Sequence, residues 1–349
     1  MRNLRRGLVV AAAIVGCAVA APSAQADTPP GRWERAKDPE AGDAYRLHVD
    51  AQARLASIKI VRDHRGSNGN EAREILTKLL RNGADKSKDV RLRIDLADCY
   101  DELKDYTSAA RVLKEAIELA PDHSAIDNAW WMLAIACGHL GDHGCERKAY
   151  EEFLRRTTED HRRLTASLNL AETEMHLGNL RTAIEGYRET MRLAARHPLA
   201  RETAPLAEWG LAVALDRSGD RIGAEKEARF AYELEKSLGF GVRGRTLLRS
   251  ETVFFYPQYE IHWYEGLGAA ARARVAATPS EAVDLWREAE LSFGTYVRRA
   301  EVTKERDRWL ELAKTRAAQA TAEREAAEKR KSKETPPPKE PGLDAPITF

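Results

Sequence analysis

A set of small, large apolar and turn-forming residues returns four times along this chain in one register. That recurrence limits the fold more than any other feature. In "VRLRIDLADCYDELKDYTSAARVLKEAIELAPD", which begins at Val90, the residues Leu96, Ala97, Tyr100, Ala109, Leu113, Ala116 and Pro121 take positions 7, 8, 11, 20, 24, 27 and 32. The register returns as Trp130, Leu133, Ala134, Gly141, Tyr150 and Phe153, then as Leu170, Ala171, Gly178, Ala183 and Tyr187, then as Leu211, Ala212, Gly219, Ala224 and Ala231. Gly141, Gly178 and Gly219 lie 37 and 41 residues apart, and Lys104 holds the same place 37 residues before the first. Apolar residues three and four apart on both sides of a Gly-Asp or Gly-Asn turn predict two helices per unit. Small residues at 8 and 20 let those helices cross closely, and large residues at 7, 24 and 27 fill the space between units. No unit can bury its faces alone, so stacked neighbours must share a continuous core. Ala, Leu, Glu and Arg dominate, aromatic residues make up only 7% of the chain, and no alternating strand pattern of useful length occurs, so an all-α chain is expected.

On these residues the chain resembles the tetratricopeptide repeat family, whose unit is an antiparallel helix pair of about 34 residues. The resemblance implies a right-handed superhelical solenoid of five to six units with a C-terminal capping helix. Residues 90–238 hold the four clear repeats. Residues 41–89 read as a degenerate first helical repeat, with Ala72, Leu76 and Leu79 as its second-helix pattern. Residues 259–300 read as a degenerate last one, with Leu267, Gly268, Ala282, Trp286 and Ala289 in place. An irregular insertion, 239–258, separates the fourth clear repeat from the last. Residues 301–333 form a charged capping or extended helix in which Trp309 and Leu312 can cover the open end, and the Pro-rich tail, 334–349, is expected to be disordered.

The N-terminus carries a different message. MRNLRR, then GLVVAAAIVGCAVAA, then Ala24-Gln25-Ala26 before Asp27 gives a basic segment, an apolar segment and a small-x-small cleavage site, which together predict a secretory signal over 1–26, followed by a polar linker over 27–40. The apolar run is about 15 residues, too short to span a bilayer, and no later segment approaches that need. Ile14-Val15-Gly16-Cys17 also resembles a lipobox, so a membrane-anchored lipoprotein with acylated Cys17 is the alternative to cleavage after Ala26. Loss of Arg2, Arg5 and Arg6 with the signal would move the formal charge from +1 to −2, which leaves no concentrated basic face for a nucleic-acid partner. The expected location is outside the cytoplasm, in the periplasm of a bacterial envelope.

The stretch "CGHLGDHGC" gathers Cys137, His139, His143 and Cys145 at the corner between the two helices of the second clear repeat. This copy places Glu146 at position 20, where a small residue is usual, and Cys145 beside it is the candidate to supply the room. At 100° per residue, Cys137 and His139 point about 200° apart on one helix, so a single metal cannot easily collect both. A disulfide between Cys137 and Cys145, or two unpaired packing cysteines, remain the readings to weigh, with Cys99 left over.

Partners of the resembled family commonly lie along the first helices, near positions 2, 5, 9, 12 and 13. Here position 5 is Ile94, Trp131, Leu168 and Trp209, and position 9 is Asp98, Ile135, Glu172 and Val213. This mostly apolar line, with His139, is the candidate groove for a peptide or helical segment of an envelope protein, because exposed tryptophan and aliphatic groups are common binding anchors. The alternative is that these side chains pack on neighbouring helices. His139 and His176 share position 13, with Glu172 one turn before His176, and read either as a pH-sensitive patch or as solvated helix-end histidines. No nucleophile elbow, zinc-protease pair, phosphate loop or dinucleotide fingerprint is present, and no cofactor or metal is implied. Only Tyr256, Tyr259, Glu260, His262 and Glu265 in "FFYPQYEIHWYEG" offer an enzyme a place to work. An aromatic loop over the groove accounts for them equally.

Overall fold

The computed structural model describes residues 39–65, 69–197, 202–240, 246–250, 253–303 and 307–333. The expected signal, most of the linker and the Pro-rich tail lie outside these residues. Among the described residues the chain is all-helical, an α-helical solenoid built from antiparallel pairs. The helices are α1 (Pro39–Arg65), α2 (Gly69–Arg81), α3 (Val90–Glu102), α4 (Tyr106–Leu119), α5 (Ile126–Leu140), α6 (His143–Arg156), α7 (Asp160–Leu177), α8 (Leu180–Ala194), α9 (Thr203–Ser218), α10 (Arg221–Ser237), α11 (Ile261–Ala273), α12 (Pro279–Glu301) and α13 (Leu310–Lys331). None is long and apolar enough to cross a membrane.

The chain divides into two compact units, one of residues 1–210 with 242–256 and one of residues 211–241 with 257–349. In the first unit α3/α4, α5/α6 and α7/α8 are successive pairs, each also touching the next, and α1 packs on both α2 and α3. Asp95 of α3, fully buried, accepts from His48 Nδ1 at 2.9 Å and Gln52 Nε2 at 2.6 Å, which ties α1 to the first clear repeat. Burial pushes the Asp95 carboxyl above its ordinary range against the pull of His48.

The turns repeat one hydrogen-bond pattern. Asp105, Asp142, Asn179 and Asp220 each donate their backbone N–H to a carbonyl five residues back, those of Tyr100, Cys137, Glu174 and Leu215, at 2.8, 3.0, 2.8 and 3.0 Å. This closure needs a left-handed residue just before the donor, and Gly141, Gly178 and Gly219 supply it at φ 70, 85 and 96°. Lys104 is forced into the same conformation at φ 59°. The aspartates then cap the next helix, Asp105 accepting from Ser108 N, Asp142 from Cys145 N and Asp220 from Gly223 N.

Between the helices of each pair, Ala97, Ala109, Ala134, Ala171 and Ala183 are buried where the backbones cross. Tyr150, Phe153 and Tyr187 fill the adjoining space, and the Tyr150 hydroxyl accepts from Asn169 Nδ2 at 2.8 Å across the step to the next pair. Position 20 of the second clear repeat departs from this rule with a buried Glu146. The room for it comes from Gly138, where a Cβ would stand 2.9 Å from Glu146 Oε1, and not from Cys145.

In the second unit α11, α12 and α13 pack in sequence, and Ala320 and Ala327 of α13 join Ala282, Val283, Trp286 and Ala289 of α12 in one core. The capping helix therefore starts at Leu310, later than 301, because α12 runs on to Glu301. Its alanine stripe packs on α12.

Two substitutions test the crossing and the turn, with opposite signs. Ala183→Trp should lower the denaturant-measured unfolding free energy by about 1–3 kcal/mol, because the crossing has no room for added atoms. Lys104→Gly should raise it by about 0.5–1 kcal/mol, since a side chain in the left-handed region costs more than the added backbone freedom of glycine.

Candidate functional site

The corner between α5 and α6 concentrates the chemistry of the first unit. Cys137 on the last turn of α5 and Cys145 on the first turn of α6 are joined by a disulfide with a Cα–Cα distance of 5.9 Å. Asp142, which lies within reach of both sulfurs, spends its carboxylate on the Cys145 N–H. The histidines turn elsewhere. Zinc would need all four ligands to converge on one point, and here the sulfurs bond each other while His139 and His143 face different neighbours.

His139 lies in a stack of three rings. Its imidazole sits 4.0 Å from the Tyr106 ring of α4, nearly parallel, and 3.9 Å from the ring of Phe254 on the other side. Burial, with Lys104 close by, lowers its pKa from 6.5 to about 4. His143 stacks face to face on His176 of α7 at 4.6 Å, shares a 2.9 Å bond with Glu146 and meets the edge of Tyr256 at 6.2 Å. Burial raises the Glu146 carboxyl, and His143 partly offsets it. Glu172 sits 3.9 Å from His176 one turn earlier on α7. His139 and His176 are thus partly buried and engaged, which replaces the picture of solvated helix-end histidines with a packed seam across three helices.

Phe254 and Tyr256 belong to the insertion, whose residues 242–256 form part of the first unit. Leu247 and Leu248 anchor it by burial. Phe254 approaches the bare backbone of Gly138, where a Cβ would stand 3.5 Å from the ring. Tyr256 crowds Gly141, where any Cβ would collide with the Cδ1–Cε1–Cζ edge of its ring. The insertion therefore covers positions 12, 13 and 15 of the second clear repeat. Sequence reasoning found the aromatic loop and the histidines separately, but their meeting depends on a chain reversal that no local pattern encodes.

The apolar line along the first helices is mostly inside. Ile94, Trp131, Leu168, Trp209 and Val213 are all buried. Trp131 packs on Phe153 at 5.2 Å and on Tyr150 at 6.1 Å, and the Arg162 guanidinium lies 5.2 Å over its face. The expected exposure fails there because α6 brings two aromatic side chains under the indole and α7 brings a cation over it. Of the candidate groove residues, Ile135, His139 and Glu172 keep partial exposure.

The cluster expected around 256–265 does not converge. Tyr256 faces His143, whereas Tyr259 donates to Asp307 at 2.9 Å, Glu260 pairs with Arg217 at 2.6 Å, and His262 bonds Glu265 at 3.1 Å on one face of α11. Arg217 and Glu260 are both buried, with the guanidinium 4.6 Å from the Trp263 ring and 5.0 Å from the Trp309 ring. Asp216 beside it accepts from Trp263 Nε1 at 3.0 Å and pairs with Arg316 of α13 at 2.7 Å. These contacts pin α9, α11 and α13 together, and so explain this cluster as structure.

The sandwiched His139 generates a pH prediction. Its folded pKa of about 4 lies below the free value of 6.5, so on acidification the unfolded chain takes up this proton first. Stability conferred by the neutral ring is complete above pH 6.5, falls as pH drops toward 4, and stops falling below it. His139→Phe keeps a ring in the stack and removes the titration. The thermal midpoints of wild type and variant should therefore move relative to each other between pH 7 and pH 4, the variant gaining. A constant difference over that range would show that His139 does not sit neutral between the rings.

Comparison with known proteins agrees with the helix-pair reading. The family described as Tetratricopeptide repeat matches residues 67–134, from α2 into α5. No curated protein matches the sequence. Among solved structures the chain is similar to the MamA protein, with 18% identity over 55% of this chain and 94% of that one and a TM-score of 0.41. It is also similar to BtubC (BKLC) from P. vanneervenii, with 12% identity, 86% and 96% coverage and a TM-score of 0.39. Yeast Tom70 shows 15% identity, 84% and 50% coverage and a TM-score of 0.38. Likenesses at these scores add nothing to what the helix pairs themselves show. The Tetratricopeptide repeat model covers α2 into α5, and one register of crossings and turns runs on through α10, so the described chain is an all-α solenoid of tetratricopeptide-like helix pairs.

Proposed function

We propose that this protein is an exported, non-catalytic interaction scaffold of a bacterial cell envelope that holds a segment of another protein along its first-helix face. The tetratricopeptide fold supports a protein-interaction scaffold. The finer reading rests on one observation above all: in the second and third clear repeats Ile135, His139 and Glu172 stay partly exposed above a floor of buried Trp131 and Leu168. An apolar group flanked by titratable and charged ones on a rigid floor suits a short partner segment, with the apolar contact giving affinity and the charges giving register. The buried tryptophans serve as floor and not as contacts. Export rests on the segment order of residues 1–26, and lipidation at Cys17 is the second reading because the lipobox-like residues precede it.

Intact mass of the mature species from a bacterial host should show Asp27 as the N-terminus, while an acylated Cys17 would mark the lipoprotein and an uncleaved Met1 chain would end the export reading. Photo-crosslinking residues placed at Ile135 and Glu172 in the native host should capture the same partner, and one at Leu119, exposed on α4, should not. Equal capture from all three positions would remove the face assignment.

A further inference from the structure

The insertion occupies the very lane in which a partner segment is expected, and it does so in a form unlike core packing. Phe254 and Tyr256 stay 38% and 37% exposed, in contrast to the fully buried Phe153 nearby. Phe254 stacks on the His139 imidazole, and Tyr256 meets His143 at an edge. What lies beneath them is shaped for flat groups: the backbones of Gly138 and Gly141, which a Cβ would block, and the imidazoles of His139 and His143. Leu247 and Leu248 of the insertion are themselves buried, so the two rings are not its only packed side chains. Rings two residues apart reach the same surface when a chain is extended, because alternate side chains share a side.

We infer that this corner is a docking cradle for an extended aromatic-x-aromatic segment, and that Phe254-Phe255-Tyr256 is its resident intramolecular occupant, which a partner segment of the same pattern displaces. The inference deepens the proposed function and rests on it for the partner being a protein. Its physical basis is competition. A tethered segment acts at high effective concentration, so it suppresses weak external segments and yields only to a partner that is concentrated or makes further contacts along the groove, such as at Ile135 and Glu172. The cradle reads ring size and spacing, since stacking on His139, an edge contact with His143 and close approach to the bare backbone of Gly138 and Gly141 suit any aromatic ring of the right reach.

The test uses the full chain and a fluorescent peptide of residues 253–257, VFFYP, with VAFAP, which lacks the two docking rings, as the control. If the cradle in wild type is open about one time in ten, freeing it in the Phe254→Ala/Tyr256→Ala variant should tighten VFFYP binding about tenfold, with no binding of VAFAP. Equal affinity for the two proteins, or no binding to a variant of unchanged helicity, would overturn the inference. Should the variant fail to fold, wild type still decides: excess VFFYP should speed hydrogen exchange at the amides of residues 253–256, and unchanged exchange there would overturn it. Partner crosslinks from Ile135 and Glu172 that persist while these peptide tests fail would leave the scaffold reading standing and remove only the resident occupant.

Discussion

Close backbone approach at alanine is the constraint on which the rest of the structure depends. Ala97 with Ala109, Ala134, and Ala171 with Ala183 are buried at the crossings, and Gly186 comes so near Ala171 that an added Cβ would stand 3.0 Å from the alanine Cβ. Near-contact of two backbones fixes the angle at which the second helix leaves the first, and that angle sets where the next pair must begin. The turn is bound by the same requirement. A hydrogen bond reaching five residues back leaves one residue with positive φ, so three of the four turns use glycine and the fourth carries strain at Lys104. Repetition at the sequence level is therefore the record of one repeated steric problem.

The second clear repeat solves that problem differently, and the candidate site follows from the difference. Glu146 replaces the small residue at the crossing, and Gly138 gives up its side chain to make room. A buried carboxyl needs a partner, and His143 provides one at 2.9 Å. His143 in turn stacks on His176 of the next pair, while the absent side chains at Gly138 and Gly141 leave bare backbone for Phe254 and Tyr256. One unusual residue at position 20 thus connects the disulfide corner, the histidine seam and the insertion in a single chain of contacts.

The fold was legible in the sequence because helix crossings and turns are local problems with local signatures. Gly141, Gly178, Gly219 and even Lys104 could be aligned by spacing alone, and each takes the positive φ that the turn demands. The site was less legible, for two physical reasons. Burial of Trp131 depends on Phe153 from the paired helix and on Arg162 from the following one, and its position number in the repeat carries no information about either. The stack on His139 depends on Phe254, 115 residues later, which returns after two further repeats have been laid down. Position within a repeat predicts what a residue shares with its counterparts. It cannot predict what a non-repeating segment will lay against it.

The two units satisfy buried polar groups in contrasting ways, and the contrast bears on where a partner can act. Arg217 sits between two indoles and against Glu260, with Tyr296 and Tyr259 both donating to Asp307 at 2.9 Å, so the second unit locks its charges in place. Breaking such a buried pair leaves a charge without compensation, which makes that cluster costly to disturb and unsuited to exchange with a ligand. In the first unit Phe254 and Tyr256 keep more than a third of their surface in solvent, and they contact glycine backbone and imidazole while taking no part in the buried His143–Glu146 pair. Lifting those two rings breaks ring contacts and no ion pair of their own. A surface that must be covered in one state and open in another is cheapest to build from contacts of that kind, and the first unit is where this chain has them.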